Sequence, residues 1–136
     1  MEETLSGLFT ALQELLQEHF RTVRLSMVQN AEQFAQELKA LNADKLPGVI
    51  IVFDTNIFHP FEGIEETQLT LVLVNSFVAG SSEKAFSLLK ETEKLLALFP
   101  ADGRNIANYH CYPADCVTAT PDSRFAALAL GITCKK

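Results

Sequence analysis

The sequence lacks the features that define several large classes of protein. It has no tryptophan, only three cysteines, and a Met1–Glu3 start with neither the basic nor the apolar region of a signal peptide. Its longest apolar runs, at residues 49–53 and 71–74, are far too short to span a bilayer. An odd number of cysteines is more typical of reduced thiols than of a disulfide framework. We therefore expect a soluble cytoplasmic protein without membrane contacts or disulfides.

Basic charge is also scarce. Eleven lysines and arginines stand against seventeen aspartates and glutamates, which gives a formal net charge of -6, and the basic residues form no cluster. Binding to a nucleic-acid backbone depends on lysines and arginines that neutralise successive phosphates. The charge pattern therefore predicts no specific nucleic-acid binding.

Hydrophobic residues are abundant enough for one well-formed core. They make up 48% of the 136 residues, including ten phenylalanines, and no linker or low-complexity tract interrupts the chain. A chain of this length buries about two-thirds of the surface that its unfolded state exposes. The composition predicts a single domain over residues 1–136, with a core of aliphatic and phenyl side chains.

Apolar periodicity predicts three helices. The first runs from Leu5 to Phe20, the second is capped by Asn30, and the third is capped by Ser82 and ends at Pro100. The second helix is expected to bury Phe34, Ala35, Leu38 and Leu41, and the third to bury Ala85, Phe86, Leu88, Leu89, Leu95, Leu96 and Phe99.

Five strands complete the predicted fold. A half-buried strand alternates through Val23, Leu25 and Met27, and the β-branched run at residues 49–53 is typical of a central strand covered on both faces. A long loop over residues 54–66 should connect it to an antiparallel strand at 67–77, and residues 107–118 and 124–134 should form a terminal hairpin. The order αβαββαββ predicts an α+β fold with helices packed on a mostly antiparallel sheet.

Residues 108–116, NYHCYPADC, concentrate the reactive side chains of the chain. Together with Cys134, the residues His110, Cys111 and Cys116 are of the types that bind zinc tetrahedrally. Adjacent residues of a strand project to opposite faces, however, so His110 and Cys111 cannot both join one site.

Strand register separates these groups further. A turn centred on residues 121–122 pairs Cys111 with Ile132 and Cys134 with Tyr109. Cys116 then points to the other face, unless a β-bulge at the intervening proline restores it. The pattern favours small buried cysteines in a hairpin over a metal site or a redox dithiol.

The predicted loop over residues 54–66 is the second candidate site. The spacing of its acidic residues, asparagine and histidine matches no EF-hand or catalytic motif. The chain also contains no GxSxG, HExxH or glycine-rich phosphate loop. The loop is more apolar than a free loop requires, which indicates a partner surface. We predict no catalytic residue, metal or cofactor, and we place an oligomer or partner interface at Asp54, Asn56, Phe58, His59, Phe61 and Glu62.

The order and texture of the segments LPGVIIVFDT, TQLTLVLVNSF, SEKAFSLLKETEKLLALF and FAALALGITCKK resemble the small tail-terminator, or tail-completion, proteins of long-tailed phages, particularly the Mu-like prophage type. The resemblance covers most of the chain and rests on no catalytic motif. It implies a structural protein that forms a ring, commonly hexameric, which caps the tail tube and ends its polymerisation. The implied partners are further copies of the chain, the tail tube protein and the head-completion protein. The implied locations are the host cytoplasm during assembly and then the virion tail.

Two other functions remain open. The β-α-β-β-α-β series within the predicted order also resembles a ferredoxin-like split βαβ unit, an arrangement used by ligand- or partner-binding modules. A small enzyme or metal protein would need His110 to act with Cys111 and Cys116, or His59 to act with Asp54.

Overall fold

The computed structural model describes residues 5–26, 46–59, 64–76, 82–122 and 125–136. These ranges contain two helices and six strands, which confirms the predicted α+β class. The predicted second helix and Met27 lie outside the described residues. The elements in chain order are α1 (Leu5–Gln17), β1 (Thr22–Ser26), β2 (Gly48–His59), β3 (Ile64–Ser76), α2 (Ser82–Ala97), β4 (Arg104–Ile106), β5 (Tyr109–Asp122) and β6 (Phe125–Lys135).

The strands form one mixed sheet in the order β1-β2-β3-β6-β5-β4. β1 and β2 are parallel neighbours, and every other pairing between the described strands is antiparallel. Two hairpins, β2–β3 and β5–β6, therefore meet side by side in the middle of the sheet. A split βαβ unit has another strand between its parallel strands, whereas β1 and β2 are in direct contact.

Helix α1 packs on one face of the sheet through leucines at i, i+4 and i+8. Leu8, Leu12 and Leu16 are fully buried, and burying a leucine side chain stabilises a fold by about 1.5–3 kcal/mol. The helix ends at Gln17, and the backbone N–H of Phe20 then donates to the carbonyl of Leu16 at 2.9 Å. This turn returns Phe20 to the core, so the predicted apolar stripe is right although its last member lies beyond the helix.

Both faces of β2 are buried at residues 49–51, as the β-branched run predicts. Val49 and Ile51 join the main core cluster, while Ile50 joins a second cluster on the opposite face. Neither described helix contributes to this second cluster, whose buried members are Leu46, Ile50, Val72, Val74 and Ala127. Of the described helices, neither is long and apolar enough to cross a membrane.

The predicted loop over residues 54–66 is wrong. β2 continues to His59 and β3 begins at Ile64, so the two strands pair well beyond the expected end of the hairpin. Thr55 and Ile57 are β-branched and favour extended backbone, and β3 is paired on its other side with β6 from Glu66 onward. The strand pairing favours extended backbone more strongly than the acidic residues and the nearby glycine favour a loop.

Helix α2 buries a narrower stripe than expected. Leu95 and Phe99 are buried and Leu88 is half-buried, but Ala85, Phe86, Leu89 and Leu96 are exposed. The helix packs on the same face of the sheet as α1, and Leu98, which the periodicity did not single out, joins the core just after the helix ends. A predicted buried face thus becomes an outward-facing apolar surface.

Candidate functional site

Four of the six predicted interface residues lie in a strand rather than in a loop. Asp54, Asn56, Phe58 and His59 all lie in β2, while Phe61 and Glu62 lie outside the described residues. Along β3, the positions opposite Asn56, Phe58 and His59 are Thr67, Glu65 and Ile64. Asp54 sits at a break in register between Phe53 and Thr55.

This arrangement does not support an acid/base pair between Asp54 and His59. The two residues are five positions apart in one strand, and extended backbone rises about 3.3 Å per residue, which separates them by roughly 16 Å. A proton transfer between two side chains needs heavy atoms within about 3 Å or one bridging water.

All of the NYHCYPADC segment except Asn108 lies in β5, and up to Pro113 its register differs from the prediction by two residues. Cys111 pairs with Cys134 rather than with Ile132, because β5 continues to Asp122 and turns later than expected. A shift of two residues leaves the side chains up to Pro113 on their predicted faces and changes only their partners.

The structure contains the β-bulge that a metal site with Cys116 would require. The register shifts between Pro113, which pairs with Ile132, and Cys116, which pairs with Leu130. Yet Cys116 then lies opposite a residue four positions along β6 from Cys134, roughly 13 Å away. No group of three or more potential metal ligands occurs among the described residues.

The bulge places Asp115 beside Gly131. A Cβ atom at Gly131 would collide with Oδ1 of Asp115, so the carboxylate fills the space that a side chain would occupy. At Gly131 the group that approaches β6 most closely is therefore the side chain of Asp115. The resulting cleft of about 360 Å³ is open and polar, with Gln68, Thr70 and Thr133 on its other sides.

Both ring nitrogens of His110 contact oxygen atoms of the segment that precedes β5. Its ring is exposed, with Nδ1 2.9 Å from Oδ1 of Asn105 and Nε2 2.8 Å from the backbone carbonyl of Asp102. Cys111 projects to the buried side of the same strand. The structure therefore separates His110 from Cys111 and uses the imidazole to hold the turn at residues 102–105.

The three cysteines occupy two environments. Cys111 and Cys134 are fully buried, and hydrogen bonding with Cys111 together with burial raises the pKa of the Cys134 thiol far above its usual value. Cys116 is exposed, and its pKa is raised by partial burial and then by the negative charge of Asp115. A thiol with a raised pKa forms little of the thiolate that acts as a nucleophile.

Replacing Asp115 by asparagine should make Cys116 more reactive. Removal of the carboxylate charge lowers the pKa of the thiol, and we expect alkylation by iodoacetamide at pH 8 to become about twofold faster. Intact-mass kinetics on the folded protein would follow the single exposed thiol. An unchanged rate would show that burial alone controls Cys116, while Glu93→Gln on α2 is a charge-matched control.

The sequence did not predict that one side of α2 exposes large apolar side chains. Phe86, Leu89 and Leu96 are 60%, 58% and 38% exposed, and their i, i+3, i+10 spacing puts them on one side of the helix. Nζ of Lys90 lies 5.0 Å from the centre of the Phe86 ring and covers part of it. We call Phe86, Leu89 and Leu96 the α2 stripe.

Side-chain contacts connect α2 to the rest of the fold. Nζ of Lys94 lies 2.8 Å from Oε2 of Glu91 and 4.9 Å from the centre of the Phe20 ring, which ties α2 to the end of α1. Asn75 of β3 donates a hydrogen bond to the Ser87 hydroxyl at 3.3 Å. These contacts fix the direction in which the apolar side chains point.

Two strand edges are also open within the described part of the chain. β1 pairs with residues 48–52 of β2, and β4 pairs with residues 109–111 of β5. Residues 53–59 of β2 and 112–122 of β5 therefore have a described neighbour on one side only, and they lie toward opposite edges of the sheet. Such edges offer backbone N–H and C=O groups to another strand.

Comparison with known proteins assigns no family to the chain. Neither the scan against models of protein families nor the search of curated proteins finds a match to the chain.

Proposed function

We propose that this chain is a structural subunit of a phage or prophage tail, which assembles into a ring that caps the tail tube and joins it to the head. Its partners are further copies of itself, a tail tube protein and a head-completion protein. It performs no reaction in this role. The observation that carries the proposal is the α2 stripe, an apolar helix surface that faces outward.

An exposed apolar helix face favours association. Phe86 and Leu89 leave more than half of their surface in contact with water, and a contiguous apolar patch on a folded domain commonly marks an interface. The apolar face lies on a helix whose other side is anchored by buried Leu95 and Phe99. A neighbouring copy that covered the stripe would bury it without any change in the fold.

The two open edges support a ring rather than a closed dimer. A head-to-tail contact uses two different patches of each subunit, and repetition of that contact around an axis closes a ring. The edge of β2 at residues 53–59 contains four of the predicted interface residues, and the edge of β5 at residues 112–122 lies toward the far side of the sheet. These edges and the α2 stripe are distinct surfaces available for such a contact.

The formal charge suits a channel that conducts DNA. Six copies would gather six times the chain's charge of -6 around one axis. Acidic groups at the lumen would repel phosphates, so DNA would pass without binding.

The oligomeric state of the purified protein tests this proposal. Size-exclusion chromatography with light scattering at high protein concentration should show a species of several subunits, and electron micrographs should show rings. The variant Leu89→Gln keeps the helix propensity of α2 but removes apolar surface from the stripe, so it should shift the protein toward monomer. Leu25→Thr, which removes a 50% exposed leucine from β1, is the matched control and should leave the ring intact.

Two results would contradict the proposal. Dissociation by Leu25→Thr but not by Leu89→Gln would place the interface at the sheet edge and remove the argument from α2. Neighbouring genes for a metabolic pathway, rather than for tail sheath, tube or head-completion proteins, would contradict the phage role itself.

A further inference from the structure

Cys111 and Cys134 face each other across the β5–β6 ladder. They are direct partners in the antiparallel register, and both side chains are completely buried. Both side chains belong to the main core cluster, so the two thiols lie on the same face of the sheet. Both are free thiols in this structure.

The backbone already holds this pair at a distance that suits a disulfide. Directly opposed residues of antiparallel strands have Cα atoms about 4.5 or 5.5 Å apart, and disulfides join residues whose Cα atoms are about 4.4 to 6.8 Å apart. Cys116 cannot compete for either partner, because it pairs with Leu130 on the far side of the bulge. Oxidation within one chain therefore has one favoured product.

We propose that Cys111 and Cys134 are an oxidative modification site, which forms a reversible cross-strand disulfide that ties β5 covalently to β6. Both S–H bonds break and one S–S bond forms. The two electrons and two protons pass to an oxidant: hydrogen peroxide is reduced to two waters, an alkyl hydroperoxide to an alcohol and one water, and a disulfide such as oxidised glutathione to two thiols. This inference is independent of the proposed tail function.

Burial determines when the bond forms. The folded protein shields both thiols, and the raised pKa of Cys134 keeps its thiolate scarce. Oxidation is therefore slow in the folded state and faster while the hairpin is forming or locally open. Once closed, the bond spans residues 111–134 and restricts the unfolded chain, which stabilises the native fold.

Refolding in an oxidising buffer tests the proposal, because the oxidant can reach both thiols while the chain is unfolded. The variant Cys116→Ser would be unfolded, refolded with reduced and oxidised glutathione, quenched, denatured and treated with N-ethylmaleimide. We expect most chains to carry no maleimide, to be lighter by two hydrogens and to yield a linked Cys111–Cys134 peptide. The oxidised form should melt about 5–10 °C above the reduced form, and dithiothreitol should reverse the change.

Single-thiol controls identify the partners. Adding Cys111→Ser or Cys134→Ser to the Cys116→Ser chain leaves one thiol, which should remain available to maleimide after denaturation. Two outcomes would overturn the proposal: both thiols staying alkylatable after refolding in oxidised glutathione, or an oxidised form that melts below the reduced form. A stable mixed disulfide with glutathione at either cysteine would also overturn it, because the neighbouring thiol would then be unable to displace glutathione.

Discussion

Replacing Leu95 by alanine should lower the free energy of unfolding by about 3 kcal/mol, because the leucine is fully buried and its truncation leaves a cavity between α2 and the sheet. Replacing the adjacent Leu96 by alanine should cost less than about 1 kcal/mol, since that residue is 38% exposed and lies outside the core cluster. Urea denaturation followed by circular dichroism would measure both values, with equal slopes indicating the same unfolding transition.

The two substitutions can be compared directly, because both replace leucine by alanine in the same helix. Residues in α-helices advance by about 100° per residue, so Leu95 and Leu96 cannot both face the sheet directly. If the two substitutions had equal costs, α2 would be rotated relative to this structure, and the α2 stripe would not exist. If Leu96→Ala changed assembly but not stability, the stripe would gain direct support.

Replacing Gly103 by alanine should lower the free energy of unfolding by about 2–3 kcal/mol. The residue has a φ of +86°, which disfavours any residue with a Cβ atom and costs about 1–2 kcal/mol. The added Cβ would also lie 2.5 Å from Nε2 of His110 and 3.0 Å from the carbonyl oxygen of Cys111. The imidazole would have to move Nε2 away from the backbone carbonyl of Asp102, which breaks a hydrogen bond worth about 1 kcal/mol.

A double-mutant cycle separates the backbone and steric parts of this cost. In a His110→Ala background the imidazole is absent, so Gly103→Ala should cost about 1 kcal/mol less than in the parent chain. Gly131→Ala is the matched control, because its Cβ would mainly displace the exposed end of Asp115 and no positive φ is involved. Additive costs at positions 103 and 110 would mean that the ring does not approach the turn in solution.

The elements whose apolar residues have one clear period could be predicted from sequence. Leu8, Leu12 and Leu16 specify one side of α1, and the β-branched run beginning at Val49 specifies a strand buried on both faces. The β2–β3 hairpin was cut short because acids, a glycine and a proline near its end are typical of loops. Pairing of β3 with β6 from Glu66 onward extends the strands despite that composition.

The candidate surfaces were harder to predict, for two physical reasons. Seven apolar positions were assigned to the buried side of the third helix, but they span about half of its circumference, which is more than a helix can bury against one flat sheet. That width was the available signal for the α2 stripe. The partnership of Cys111 and Cys134 depends on where the hairpin turns and on the bulge after Pro113, and alternation alone fixes the face but not the partner.

The ladder between β3 and β6 has a consequence for how the sheet forms. Each hairpin joins strands that are neighbours in sequence, so β2–β3 and β5–β6 can close over short loops on a timescale of microseconds. The β3–β6 ladder, from Ser76 and Phe125 to Glu66 and Lys135, instead joins segments separated by α2 and two further strands. Its closure carries the larger loss of chain entropy and raises the contact order of the domain, which makes this ladder the slow step in assembling the sheet.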